Sequence, residues 1–220
     1  MTTDLTTQPT IEATAGARVT DEELAALGAF GTATVYEASG IDCALDPALR
    51  PVWHGARIIG RALPVRTHPA DNLPLHRALE HAQPGDVLVV DGREELCGYW
   101  GEVLAVAAQT RGVTGLVMDG GVRDIVEQEE LGFPVFARGV CVRRTGKNFP
   151  GLVGEPITVG GVLVQPGDAV IADTDGIVVL PPEAVAPTLA ASQARIDKEA
   201  AIMERIRAGE LTLDIYGFRS

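Results

Sequence analysis

The sequence predicts an α/β fold: a parallel strand–helix–strand–helix–strand centre, then antiparallel hairpins, then a long C-terminal helix. Three observations carry that expectation. Apolar runs at 87–90, 115–118 and 134–137 alternate with helical stretches at 102–111 and 122–131. A run apolar at every position suits a strand covered on both faces, and the right-handed crossover rule makes three such strands parallel. Beyond residue 150, runs of three or four apolar residues are separated by Gly-Gly, Pro-Gly-Asp and Asp-Gly, which favour antiparallel hairpins. The last helical stretch covers 187–208, and Gly209 ends it.

Taken in order, residues 1–18 are polar, Thr-rich and unpatterned, and read as a flexible arm ahead of a single domain over 19–220. Thr20 and Glu23 form a capping-box pair opening a helix to about Leu27. Gly31 interrupts it, and a second helical piece over 33–38 stops at Gly40. Residues 41–57, punctuated by Pro47 and Pro51, read as loop. A strand follows over Ile58–Arg66, and Asp71 can cap a helix over 73–82. Pro84-Gly85-Asp86 is a turn into the strand at 87–90, and the same Pro-Gly-Asp phrase returns at 166–168. The late strands are Ile157–Val159, Val162–Val164, Ala169–Ala172 and Ile177–Leu180, and residues 210–220 form an ordered or semi-ordered tail.

The chain has 220 residues, 46% hydrophobic and 22% charged, so it can bury a sizeable core. Its formal net charge of −12 disfavours nucleic acid as a direct partner. No apolar run approaches the roughly 20 residues that span a bilayer, so no membrane partner is expected. The N-terminal stretch has no basic start followed by an apolar run, hence no secretory signal. Cys43, Cys97 and Cys141, odd in number and without a CxxC, read as buried thiols of a protein in the reducing cytoplasm. His54, His68, His76 and His81 make no metal signature, so any metal is expected on oxygen ligands.

In an open α/β sheet, ligands gather beyond the carboxyl ends of parallel strands. Two segments fall there: the turn into the Glu102 helix, and Gly120–Asp124. Each is expected to open a helix whose free N–H groups favour an anion, with glycines at 101, 120 and 121 letting a ligand approach the backbone. Arg123 can grip a carboxylate with paired hydrogen bonds, and Asp124 is a hard oxygen ligand suited to Mg²⁺. Equally, an adjacent Arg and Asp can be no more than a helix's first turn. Leu189, Ile196 and Met203 recur every seven residues, and Glu199 projects from the same stripe, where it must be paired, reach a cleft, or lie at a subunit boundary. Glu37, within the apolar stretch 33–38, raises the same question. Asp173 and Asp175 read as a turn rather than a cation clip, and Trp53, Tyr99 and Trp100 as packing or pocket lining. Lys147 sits in Thr-Gly-Lys-Asn without the glycine spacing of a phosphate loop. Lys147 and Lys198 are the only lysines, and neither sits where a depressed pKa would suit Schiff-base chemistry, so a metal is the better electron sink.

The stretches WGEVLAVAA at 100–108, GLVMDGGVRD at 115–124 and LGFPVFARG at 131–139, with ITV at 157–159, GGV at 160–162 and PGD at 166–168, closely resemble the RraA-like proteins. The nearest branch is similar to 4-hydroxy-4-methyl-2-oxoglutarate and 4-carboxy-4-hydroxy-2-oxoadipate aldolases, which also decarboxylate oxaloacetate. The resemblance implies a β/β/α swivelling-domain fold, a homotrimer or homohexamer with active sites at subunit interfaces, and a Mg²⁺- or Mn²⁺-dependent class II aldolase acting on a small oxo-acid. It implies that Arg123 binds substrate, that Asp124 holds the metal, and that the backbone at Gly101, Val103 and Leu104 receives the pyruvyl carboxylate. Glu102, with Glu37 and Glu199 from a neighbouring subunit, would position a catalytic water. The same family includes a regulator that binds and inhibits RNase E, which leaves a non-catalytic reading as the alternative.

Overall fold

The computed structural model describes residues 18–219. The expected N-terminal arm, Arg18 apart, lies outside the described residues. In chain order the elements are α1 (Asp21–Leu27), α2 (Thr32–Ser39), β1 (Arg50–Pro51), β2 (Ile58–Arg66), α3 (Leu73–His81), β3 (Asp86–Asp91), α4 (Glu102–Thr110), β4 (Gly115–Val122), α5 (Ile125–Leu131) and β5 (Val135–Val140). There follow β6 (Leu152–Val153), β7 (Ile157–Val159), β8 (Val162–Val164), β9 (Ala169–Ala172), β10 (Ile177–Leu180), α6 (Pro182–Arg207) and α7 (Thr212–Ile215).

The main sheet runs β1-β5-β4-β3-β2-β9-β10, with β6 beside β2, while β7 and β8 form a separate antiparallel pair. Strands β2, β3, β4 and β5 are mutually parallel, and β9 closes antiparallel onto β2. Each crossover helix therefore steps the chain one strand further in the same direction. Alternation along the strands divides the interior. Leu88, Val90, Leu116, Met118, Val135 and Ala137 face α3 and α4 in one cluster. Val87, Val89, Val117 and Phe136 face β7 and β8 in another. A third cluster joins α1 and α2 to β9, β10 and Val185 of α6. Val87 to Val90 are all fully buried. At about 1.5–3 kcal/mol per large buried side chain, such a run commits a strand to the centre of a sheet.

Several boundaries move. The capping box of α1 is present, with the Glu23 N–H donating to Thr20 and the Glu23 carboxylate accepting from the Thr20 N–H. The helix over 73–82 starts from Asn72 rather than Asp71; Asp71 still accepts the Leu73 N–H, but its other oxygen anchors Asn148 N–H at 2.6 Å. The helix expected over 122–131 starts only at Ile125, because β4 continues through Gly121 and Val122, which pair with Gly139 and Val140 after a bulge at Met118. Strand β1, of two residues, lies in the stretch read as loop, and β6, also of two residues, lies where no element was expected. The final helix begins at Pro182, five residues early, because proline in a first turn has no N–H to waste.

The packing face of α6 also differs from the expected one. Val185, Thr188 and Ser192 are its buried residues, whereas Ile196, Met203 and Ile206 stand exposed. Of the seven-residue stripe, Leu189 packs against this chain's core, and Ile196 and Met203 do not. Among the described residues no helix is long and apolar enough to cross a membrane.

Candidate active site

At its carboxyl end β4 delivers Arg123 and Asp124 into a two-residue corner before α5. Arg123 is held by its backbone: its N–H donates to the Trp100 carbonyl at 2.9 Å, and its carbonyl accepts from the Gln128 side-chain amide. Asp124 caps α5 in a left-handed conformation (φ 56°, ψ 49°) that few residues other than glycine adopt, Asp and Asn being the usual exceptions. Its carboxylate turns back onto the start of α4, where Oδ2 accepts the Glu102 N–H at 3.1 Å and lies 3.6 Å from Arg123 Nε. Oδ1 accepts no hydrogen bond among the described residues. Both side chains are about two-fifths exposed (45% and 38%), so they are fixed at the root and open at the tip.

The start of α4 completes this corner. Gly101 is its N-cap and provides no side-chain cap. The Glu102 N–H goes to Asp124, and the Ala105 N–H returns to the Gly101 carbonyl at 3.1 Å. Between them, the N–H groups of Val103 and Leu104 have no hydrogen-bond partner among the described residues. Two free donors at a helix N-terminus, beside a guanidinium, are an arrangement able to accept a carboxylate. The sequence expectation for Val103, Leu104, Arg123 and Asp124 as neighbours is met in space, and Glu102 stands exposed on the same turn.

The glycines make room for the chain's own groups. A Cβ on Gly101 would overlap the Asp124 carboxylate, and one on Gly121 would come within 2.5 Å of the Cys97 carbonyl oxygen. Gly120 and Gly121 lie inside β4, so Gly120–Asp124 is a strand end and a corner rather than a second anion-binding helix start.

Glu37 and Glu199 lie elsewhere in the chain. Arg195 Nη2 stands 2.7 Å from Glu37 Oε2 and 2.7 Å from Glu199 Oε1, tying α2 to α6. Glu199 is therefore paired, one of the three fates its position allowed. Arg123 and Asp124 follow the cluster under α3 and α4, whereas α2 and α6 belong to the cluster under β9 and β10. One chain does not bring the two carboxylates to the Asp124 corner.

The remaining expectations resolve into structure. Asp173 caps α2 through Thr32 N–H (2.9 Å) and Thr32 Oγ1 (2.6 Å), so it is an anchor. Tyr99 and Trp100 are fully buried, and Trp53 donates Nε1–H to the Phe133 carbonyl at 3.1 Å. Cys43 and Cys97 are buried, with thiol pKa values raised by that burial, but Cys141 is only half-buried, contrary to expectation. Two cavities were not legible in the sequence. One of about 550 Å³ is lined by Arg66, His68, Arg93 and Phe149, the other of about 740 Å³ by Asp46, Asp91, Asp119 and Arg138. Neither touches Arg123 or Asp124, and their charges are satisfied internally: Arg138 by Asp119 and Asp46, Arg66 and Arg93 by Asp91. Arg195 and Gln128 escaped notice as well, since an arginine among charged residues and a glutamine in a charged helix carry no pattern of their own.

Among the described residues no group of three or more His, Cys, Asp or Glu could hold a metal ion. The Asp124 corner fits a more modest demand, because Mg²⁺ keeps several waters and takes one or two protein carboxylates. The free Oδ1 of Asp124 meets it.

A mixed sheet with one parallel half, an antiparallel extension, a separate hairpin layer and a long C-terminal helix defines a β/β/α swivelling-type domain with an open site at the sheet's carboxyl edge. Residues 18–179 match the family model described as RraA-like, Aldolase/RraA, and the chain belongs to that family. It is 35% identical over 138 residues to a Halalkalibacterium halodurans protein named "Putative 4-hydroxy-4-methyl-2-oxoglutarate aldolase", a stretch covering 62% of this chain and 66% of that one. A Burkholderia multivorans protein of the same name is 38% identical over 143 residues, covering 64% of this chain and 87% of that one. Among solved structures, Streptomyces coelicolor RraAS2, described as an unusual member of the RNase ES inhibitor RraA protein family, superposes with a TM-score of 0.73 at 30% identity, covering 86% of this chain and all of that one.

Proposed function

We propose that this chain is a divalent-metal-dependent lyase that cleaves a 4-hydroxy-2-oxo di- or tricarboxylic acid to pyruvate or oxaloacetate, and that it also decarboxylates oxaloacetate. The observation that supports this reading best is the pair of free N–H groups at Val103 and Leu104, set beside the Arg123 guanidinium and the open Asp124 carboxylate. A 2-oxo acid needs such a set: donors for its carboxylate, a cation for its oxo oxygen, and a hard ligand for a metal. The names of the aldolase relatives agree with it.

In this reading the Val103 and Leu104 amides bind the substrate's carboxylate. Arg123 stabilises the negative charge that gathers on the oxo oxygen as the carbon–carbon bond breaks. Asp124 holds Mg²⁺ or Mn²⁺, which when bound supplies Lewis-acid polarisation of the 2-oxo acid. For the aldol substrate the hydroxyl proton passes to a water positioned by Glu102 and by Glu37 and Glu199 of a second copy. The deprotonated hydroxyl becomes the carbonyl of the departing oxo acid, and the electron pair of the broken bond goes to the carbon beside the oxo group, which is then protonated to give pyruvate. Decarboxylation of oxaloacetate uses the same electron flow with carbon dioxide leaving, and needs no base. Active sites shared between copies require a homo-oligomer, a trimer or hexamer, and a cytoplasmic setting suits its thiols.

Pyruvate release from oxaloacetate, followed with Mg²⁺ and then with excess EDTA, tests the proposal. Expected are metal-dependent turnover in the native chain and its loss in Asp124→Ala. Turnover indifferent to EDTA would remove the metal from the mechanism. No turnover at all, together with inhibition of an RNase E-type ribonuclease, would favour the regulator reading that the Streptomyces relative suggests.

A further inference from the structure

Helix α5 buries one residue among its seven, and that residue is polar: Gln128 is fully buried. A buried amide is costly unless it is hydrogen-bonded, so its contacts indicate what its position demands. Its Nε2–H donates to the Arg123 carbonyl, a partner that only the nitrogen end of the amide can satisfy, while its Oε1 is buried without a hydrogen-bond partner among the described residues. Its backbone N–H donates to the Asp124 carbonyl at 3.2 Å, and its own carbonyl accepts the Phe133 N–H at 3.0 Å. The backbone of Arg123 and Asp124 is thus held on both sides of its linking peptide as well as on it, by Trp100 on the Arg123 N–H and by Gln128 on the Arg123 and Asp124 carbonyls. That peptide leads into the left-handed Asp124, a conformation that persists where the surroundings over-determine it.

We propose that Gln128 is a positioning residue for the Arg123–Asp124 corner: its side-chain amide holds the Arg123 carbonyl so that Asp124 stays left-handed and its carboxylate stays over the start of α4. The consequence for metal binding rests on the reading of Asp124 as the metal ligand; the positioning itself does not. Outer groups that orient a ligand typically change metal affinity about 10–100-fold when removed.

The test uses the full-length chain and two variants that lose the bond differently. Gln128→Met keeps the length and has no donor; Gln128→Asn keeps the amide but falls a methylene short. Leu79→Ala, on α3 in the core cluster that α3 and α4 cover, gives a loss of packing away from the corner. Peptide-level hydrogen exchange across 121–131 reads the positioning. Mn²⁺ binding, by the electron paramagnetic resonance of the free ion, reads its consequence. Expected is faster exchange in that segment and roughly tenfold weaker Mn²⁺ binding in the Gln128 variants, with neither change in Leu79→Ala. Unchanged exchange in a folded Gln128 variant overturns the proposal, as does failure of both variants to fold, which would make Gln128 a plain structural residue. Faster exchange in a protein whose native form binds no Mn²⁺ would leave the positioning role standing and sink the metal reading instead.

Discussion

Gly101 shows how little room separates a working corner from a spoiled one. Its backbone is extended (φ −157°, ψ −170°), so alanine there carries no conformational penalty. Its hypothetical Cβ, however, would overlap the Asp124 carboxylate. Gly101→Ala is expected to fold with a nearly native melting temperature while losing about a hundredfold in turnover, the usual scale for an ångström of misplacement. Steady-state kinetics beside a thermal melt checks this; full activity would mean that the carboxylate's position over α4 is dispensable. The sequence marked Gly101, Arg123 and Asp124 for attention because composition and place, a glycine at a helix start and an Arg-Asp at a strand end, are local facts. That Gly101 makes room for the Asp124 carboxylate depends on a contact twenty-three residues apart along the chain, and no local pattern records it. Gln128 and Arg195 were invisible for the same reason: their meaning lies wholly in their partners.

Elements were the most legible scale, and the repeated turn shows why. The phrase Gln-Pro-Gly-Asp occurs at 83–86 and 165–168, and both copies make the same bond, the Asp side chain accepting the N–H of its own Gln at 2.8 Å and 2.7 Å. Chemistry that closes within four residues can be read from four residues. The end of β4 was misread because Gly-Gly before Val-Arg-Asp looks like a helix start, whereas pairing with β5 and the crossing of Cys97 decide the matter. The turn also carries a cost. Burial raises the Asp168 carboxyl to about 6, with Glu183 adding to the shift, while the Gln165 N–H opposes it. Below the unfolded pKa of about 3.9 both states hold the proton. Between about 3.9 and about 6 the folded chain keeps it and the unfolded chain has released it, so this group's contribution to stability falls as pH rises through that window and then levels off. Asp168→Asn retains an acceptor for Gln165 and removes the titration. Its melting temperature relative to the native chain should therefore rise by a few degrees between pH 4 and pH 7.5. A difference that stays constant with pH would show that Asp168 is ionised in both states.

For the whole molecule, the decisive fact is that the chain carries two groups of residues, half-sites in the proposed reading, that it does not join. One is the corner of Gly101, Val103, Leu104, Arg123 and Asp124. The other is Glu37, Arg195 and Glu199, assembled across α2 and α6 and packed with a different cluster. The sequence flagged Glu199 through a stripe, Leu189, Ile196 and Met203, of which Leu189 alone packs against this chain's core. In fact Ile196, Met203 and Ile206, with Leu211, Leu213, Tyr216 and Phe218 beyond them, are exposed, so the far end of the chain presents apolar surface outward. If both half-sites serve one reaction, they must come from different copies. A symmetric homo-oligomer then repeats the junction at every interface. The prediction is complementation. Asp124→Ala should lack both activities, and Glu199→Gln should lose aldol cleavage far more than decarboxylation, since only cleavage needs the hydroxyl proton removed. Co-refolded in equal amounts, the two variants should regain cleavage, because about a quarter of the sites in a random mixture pair an intact corner with an intact Glu199. Were the halves to work within one chain, every site would contain one damaged half, and the mixture would be no more active than its components. Cleavage assayed before and after co-refolding separates these outcomes, and the sharing of sites stands or falls on it.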